Sequence, residues 1–307
     1  MTSAAARPAL PVWQTVRQAF ATLPVHWQAI VRIFGAWLAI IVGLGVLLNS
    51  QSFPLLGQPP TGDLVAKFFL IWLLMVGGGL LFLSSTAVAW HRLILLGEQP
   101  PAIYLGINQT VLRYLGRCLL IGLILVPVML ACMLLVAPLM WTFLPPPTRN
   151  PFALPSAGQA LAGLVAGLII ALPMLLIVTR LGIALPGIAI GRRMTLSESW
   201  RATEGNTGAL LGGAMLILAL AQAVGVALGF ATRADFQEMV LRMAELADKP
   251  QSEELLQQVR TLRFQYLLVL LPAMLVQLAI TVAGIGFLSL SYRFLVGIGE
   301  PEQSEAG

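Results

Sequence analysis

A chain of 307 residues that is 58% hydrophobic and only 10% charged, with a mean hydropathy of +0.87, holds far less charge than a soluble domain, where about a quarter of residues are charged. The same figures exclude a disordered chain and, with two cysteines, a disulfide-stapled one. The net charge of +5 rests mainly on 16 arginines scattered along the chain, a pattern that argues against a nucleic-acid partner and for arginines that set membrane topology.

A helix crossing hydrocarbon satisfies its own backbone and needs about 20 apolar residues, so long runs free of charge mark the spans. Six emerge in chain order: Ala29 to Leu48, Phe68 to Trp90, Cys118 to Leu144, Leu161 to Ile190, Ala209 to Ala231 and Tyr266 to Leu290. The first 32 residues carry Arg7, Arg17 and Arg32 and the apolar run ends without a small-residue cleavage site, so the first span is expected to be retained rather than removed as a signal. Pro127, Pro138, Pro173 and Pro272 fall inside spans, where they predict kinks rather than breaks. Cys118 and Cys132, 14 residues apart on one helix, stand about 21 Å apart at 1.5 Å per residue, too far to bridge.

These runs predict an all-α, six-span helix bundle forming a single membrane domain. With both termini inside, eleven arginines lie on the cytoplasmic side, while the two short outer loops hold only Lys67 and Arg149. Short loops weigh most in this balance, so an N-in, C-in orientation is expected.

The connecting segments carry their own signals. Thr195-Leu196-Ser197-Glu198 has the form of a capping box, with Gly205 placed to end the helix that follows. Thr15-Val16-Arg17-Gln18 offers a similar box before the first span, and Ile103 to Leu115 an apolar face before the third. Each odd-numbered span is therefore expected to follow a short amphipathic cytoplasmic helix at the interface. Between the fifth and sixth spans, residues 232–264 show apolar positions at helical spacing on both sides of Lys249-Pro250, from Phe236 to Leu246 and from Leu255 to Leu262. They predict an outer pair of amphipathic helices, either packed as a shield or docking a protein partner.

The exits of the even-numbered spans resemble one another. His91-Arg92 leads to Gly97-Glu98, Tyr292-Arg293 to Gly299-Glu300-Pro301, and Thr179-Arg180 to Gly191-Arg192. The pattern suggests three copies of one unit, each an interfacial helix followed by a two-span hairpin. Three tracts, Ala89-Trp90-His91-Arg92-Leu93-Ile94-Leu95-Leu96-Gly97-Glu98, Leu185-Pro186-Gly187 through Gly191-Arg192, and Ser199-Trp200-Arg201-Ala202-Thr203-Glu204-Gly205-Asn206, together resemble a broad group of poorly characterised bacterial six-span inner-membrane proteins. That group includes the membrane domain fused to some glycerophosphodiester phosphodiesterases. The resemblance runs over about Trp27 to Gly299 and implies a bacterial inner-membrane location; it supplies no active site to transfer.

Chemistry is sparse. No Asp or Glu lies inside a span, two histidines and two cysteines make no familiar metal set, and phosphate-loop, hydrolase-elbow and zinc-protease motifs are missing from the sequence. Ser84, Ser85, Thr86 and the run Gly77-Gly78-Gly79 are expected to pack helix on helix. The sharper candidates are Arg92, Arg180 and Arg293, one at each even-numbered exit, because guanidinium groups brought to one level match a phosphate and the apolar residues beyond them suit an acyl chain. Gln222 and Gln277 are the candidate polar residues within the membrane. The expectation is a non-catalytic membrane protein that binds lipid or supports a membrane complex, without cofactor or metal and with an open oligomeric state. The alternative is a transporter or channel whose polar path includes the two glutamines.

Overall fold

The computed structural model describes residues 9–51, 62–143, 157–232, 238 and 253–297. Among these, every regular element is a helix. In chain order they are α1 (Val12–Val25), α2 (Trp27–Gln51), α3 (Gly62–Leu96), α4 (Gln109–Phe143), α5 (Ala157–Gly182), α6 (Ala184–Ala189), α7 (Leu196–Ala202), α8 (Thr207–Ala231) and α9 (Glu253–Val296). Five helical stretches, Phe69–Leu96, Gln109–Pro138, Leu161–Ala189, Thr207–Phe230 and Leu271–Val296, are each long and apolar enough to cross a membrane, and the bent pair α1 and α2 supplies up to a sixth. The chain is therefore an all-α polytopic helix bundle. Pro127, Pro138, Pro173 and Pro272 all lie inside continuous helices.

Several local expectations are corrected. The fourth span holds as one crossing stretch, Leu161–Ala189, but it contains a turn at Ile183, beyond which α6 is a separate buried piece carrying Leu185-Pro186-Gly187. Residues 98–108 form no interfacial helix: they cross the end of α3 as irregular chain until Asn108, whose side chain accepts the Val111 N–H at 3.0 Å, and α4 then continues into the third span. The box at Thr15 does not form, since α1 starts at Val12 and the Thr15 hydroxyl donates back to the Pro11 carbonyl at 2.9 Å from inside the helix. Of the outer pair, Glu253 to Phe264 is the opening of α9 itself, unbroken into the sixth span, and the Lys249-Pro250 break lies outside the described residues. Among the described residues nothing lies within 4 Å of a Cβ added to Gly77, Gly78 or Gly79, so the close helix approach expected of them is not seen there.

The capping box at Thr195 is complete: its hydroxyl accepts the Glu198 N–H at 3.1 Å and the Glu198 carboxylate accepts the Thr195 N–H at 2.7 Å. Gly205, at φ +82°, turns the chain from α7 into α8.

Three hairpins, α2 with α3, α4 with α5 and α6, and α8 with α9, share one plan of closure. The segment before each hairpin packs on another hairpin. Residues 98–108 lie on α3, where the Ser85 hydroxyl donates to the Gly106 carbonyl at 2.7 Å and Tyr104 packs beside Trp90 and Leu93. Helix α7 lies on α5, where the Ser199 hydroxyl donates to the Arg180 carbonyl at 2.6 Å. Helix α1 returns to α8 and α9: Val16 and Ala19 are buried with Leu210, Phe287 and Leu290, and the Leu10 N–H donates to Asn206 Oδ1 at 2.7 Å. The contacts run in a ring that α1 closes. Helix α1 is thus part of the core, with Ala19 fully buried, and only its outer face, marked by exposed Trp13, has the interfacial character expected.

Candidate functional site

The even-numbered spans all end on a glycine in the left-handed region, Gly97 at φ +70°, Gly191 at φ +85° and Gly297 at φ +72°. A residue with a Cβ would be strained there, so glycine both stops the helix and turns its last carbonyls toward donors. Helix α6 packs against α3, α4 and α9, which brings the three exits together at one end of the bundle.

Arginines bind those ends to one another. Arg92 Nη1 donates to the Ala189 carbonyl at 3.2 Å, from the exit of α3 to the end of α6. Arg192 Nη1 donates to the Gly297 carbonyl at 3.1 Å, from the exit of α6 to the end of α9. Helix C-termini carry partial negative charge, so each contact pairs a cation with orphan carbonyls of a neighbouring unit.

The three expected arginines have unequal surroundings. Arg92 is half-buried and grips Glu98 with Nε and Nη2, both at 2.7 Å. Arg180 lies with its guanidinium carbon 3.7 Å from the Trp200 ring centroid and donates to Thr203 Oγ1 at 3.0 Å and the Trp200 carbonyl at 2.8 Å. Arg293 is exposed. Arg192 and Arg193, also exposed, stand beside these exits; as a sequence they register only as topology determinants, although the Gly191-Arg192 exit marks the position. Gln222 on α8 and Gln277 on α9 both occupy exposed positions outside the buried core.

A second polar group was not foreseen. His91, fully buried, places Nδ1 2.7 Å from Ser289 Oγ and Nε2 3.2 Å from Tyr114 Oη, joining α3, α9 and α4. The network assigns the tautomer. Ser289 already donates its proton to the Ile285 carbonyl at 3.0 Å, so Nδ1–H donates to Ser289 and Nε2 accepts from Tyr114. Sequence spacing gave no hint, because Tyr114 and Ser289 lie 23 and 198 residues away; the only signal was a histidine beside the conspicuous Trp90. The chain is a neutral, satisfied bridge, with no carboxylate in it to drive acid or base chemistry. Among the described residues, no group of three or more His, Cys, Asp or Glu could hold a metal ion.

Compared with protein-family models, with curated proteins and with solved structures, the chain matches none.

Proposed function

We propose that the chain is a non-catalytic, multi-pass protein of a bacterial inner membrane, N-in and C-in, that holds anionic lipid headgroups at the end of the bundle where the even-numbered helices meet. The observation that carries this reading is the convergence of three glycine-terminated exits with exposed Arg192, Arg193 and Arg293 beside them. Guanidinium groups bind phosphate in a planar fork, and a cytoplasmic leaflet rich in anionic lipid supplies that group at this depth. Arg180 on Trp200 supports the same placement, since a tryptophan ring with a polar neighbour suits the headgroup level. Arg92 and Arg180 already have protein partners and Arg192 gives one N–H to the Gly297 carbonyl, so headgroup contact falls first to Arg293 and Arg193, with the remaining N–H groups of Arg192 beside them.

Native mass spectrometry of the gently solubilised protein tests the reading. A bound anionic phospholipid is expected on the wild type and is lost when Arg192, Arg193 and Arg293 are all changed to Gln. Retention of the same lipid at the same stoichiometry would remove the proposal. A phosphatase fused after Gly307 is expected to be inactive; activity there would reverse the orientation.

A further inference from the structure

The joint between α1 and α2 has the construction of a hinge. The two helices meet at 76° with only His26 between them. Their hydrogen-bond ladder nevertheless runs through the bend: the His26 N–H donates to the Thr22 carbonyl and the Ile30 N–H to the His26 carbonyl, both at 3.0 Å. His26 sits at φ −111°, ψ 28°, so straightening the joint alters the torsions of essentially one residue and sacrifices no backbone bond. The other two ring-closing segments have no such joint. Residues 98–108 and α7 lie across the helices they pack on, between two hairpins.

Beneath α1 lies an unexplained donor. The Trp90 ring is fully buried, and its indole N–H has no hydrogen-bond partner among the described residues. The His26 ring stands nearly perpendicular to the indole with centroids 6.3 Å apart, and Ala19 of α1 and Gly286 of α9 cover the N–H: a Cβ added to Gly286 would stand 3.4 Å from Trp90 Nε1 and 3.7 Å from the Ala19 Cβ. Neither residue offers a side-chain acceptor, and leaving a buried N–H unpaired costs free energy in the closed form. Trp90 precedes Arg92 by two residues at the arginine-bearing end of α3, the depth at which the ester and phosphate oxygens of a lipid lie. The flanks of the hinge are apolar and open, with Val25 73% and Trp27 60% exposed. An amphiphile can therefore approach from the bilayer without crossing water.

We propose that α1 is a hinged cover, turning about His26, and that the surface it uncovers takes a membrane phospholipid whose oxygen accepts the Trp90 indole N–H. This rests on the lipid reading above for its class of ligand but not for its place, since the Trp90 indole is buried beneath α1 whereas the arginines of that reading are exposed. The closed position is held by the Val16 and Ala19 face and by the bond from Leu10 to Asn206.

The test locks the cover. With Cys118 and Cys132 replaced by Ser and Ala, the full chain carrying Ala19→Cys and Gly286→Cys has its two Cβ positions 3.7 Å apart, within the range a disulfide requires. The protein is placed in phosphatidylcholine vesicles containing a trace of phosphatidylglycerol with a photoactivatable group near the ester end of one acyl chain. The reduced protein is expected to crosslink at Trp90 and its neighbours on α3, and oxidation is expected to abolish that product while labelling around exposed Leu134 on α4 continues. In the reduced background Trp90→Phe should lose the α3 product although the disulfide still forms on oxidation. Should the double-cysteine protein fail to fold, Asn206→Ala on the wild-type background serves instead, raising the α3 product about fivefold, the population shift expected from losing one net hydrogen bond. Unchanged crosslinking on locking, or labelling at Leu134 with none at Trp90 in the reduced protein, would overturn the proposal. Either result leaves the arginine reading standing, because that reading is scored by lipid retention in the arginine variants.

Discussion

His91 Nδ1 lies 2.7 Å from Ser289 Oγ, so a side chain on α3 is tied to α9 across 198 residues of sequence, and the same ring reaches Tyr114 on α4 through Nε2. One imidazole therefore sets the relative position of three helices. Ser289→Ala leaves the Nδ1–H without an acceptor, and Tyr114→Phe leaves Nε2 without a donor. Each is expected to cost about 1 kcal/mol, the scale of a hydrogen bond between membrane helices. Because the two bonds share one ring, the losses are expected to be non-additive in a double-mutant cycle read by thermal unfolding in detergent. Strict additivity would mean that the two hydroxyls do not act through His91.

Two close approaches predict which glycines tolerate no side chain. A Cβ on Gly213 of α8 would collide with the Phe287 ring, and one on Gly187 of α6 would stand 3.2 Å from the Tyr292 ring and hydroxyl. Phe287 and Tyr292 are both buried, so neither ring has room to retreat. Gly213→Ala is expected to destabilise by about 1–3 kcal/mol, the cost of overpacking a filled core. Adding Phe287→Leu should restore part of the loss. Gly208→Ala, five residues earlier on α8 with nothing among the described residues within 4 Å of the added Cβ, is the control and should be neutral or slightly stabilising.

The spans were legible because hydrophobic length is a property of consecutive residues, and the capping box at Thr195 because its partners are three residues apart. What the sequence hid depends on distant partners. Ile103 to Leu115 carries an apolar face, but Ser85 holds Gly106 against α3, so the first half follows that surface and only Gln109 onward coils, as the start of α4. Thr15 has the right neighbours for a cap, yet the helix gains an extra turn by starting at Val12, where Val16 and Ala19 find a filled core to enter. Arg92, Arg180 and Arg293 look equivalent as a spaced set; only the fold shows that Glu98 and Trp200 occupy two of them while Arg192 takes the end of α9.

The Arg92–Glu98 pair predicts an effect on ligand occupancy larger than its effect on stability. Its side chains are 35% and 47% exposed, and a pair so open to solvent contributes at most about 1 kcal/mol. Glu98→Gln is therefore expected to leave the unfolding midpoint nearly unchanged. The substitution also removes the carboxylate that competes with a phosphate for the Arg92 fork. Under the lipid proposal, bound anionic phospholipid measured by native mass spectrometry should rise, while Glu98→Asp should resemble the wild type. A fall in bound lipid on Glu98→Gln would count against a headgroup near this exit.

The cap of α7 predicts a pH dependence whose sign follows from its hydrogen bonds. The Thr195 backbone N–H, then its side chain, holds the Glu198 carboxyl below its ordinary value. A carboxyl depressed in the folded state contributes stability that is fully present above the unfolded value of about 4.3 and fades as pH falls through the lower folded value. Protection of the Ser197, Glu198 and Ser199 amides against hydrogen exchange, corrected for intrinsic rate, should thus be constant near neutrality and drop in acid below that range. Glu198→Gln keeps an acceptor but cannot titrate, so its protection should stay flat over the same interval. Thr195→Ala removes the hydroxyl that accepts the Glu198 N–H and should lower protection at every pH. Because Ser199 ties α7 to the Arg180 carbonyl, loosening in acid is also expected to free the Trp200 ring from Arg180, which a red shift in fluorescence from a variant retaining Trp200 as its sole tryptophan would report. Protection in the wild type that does not change with acid would show that the carboxylate is not what holds this helix start.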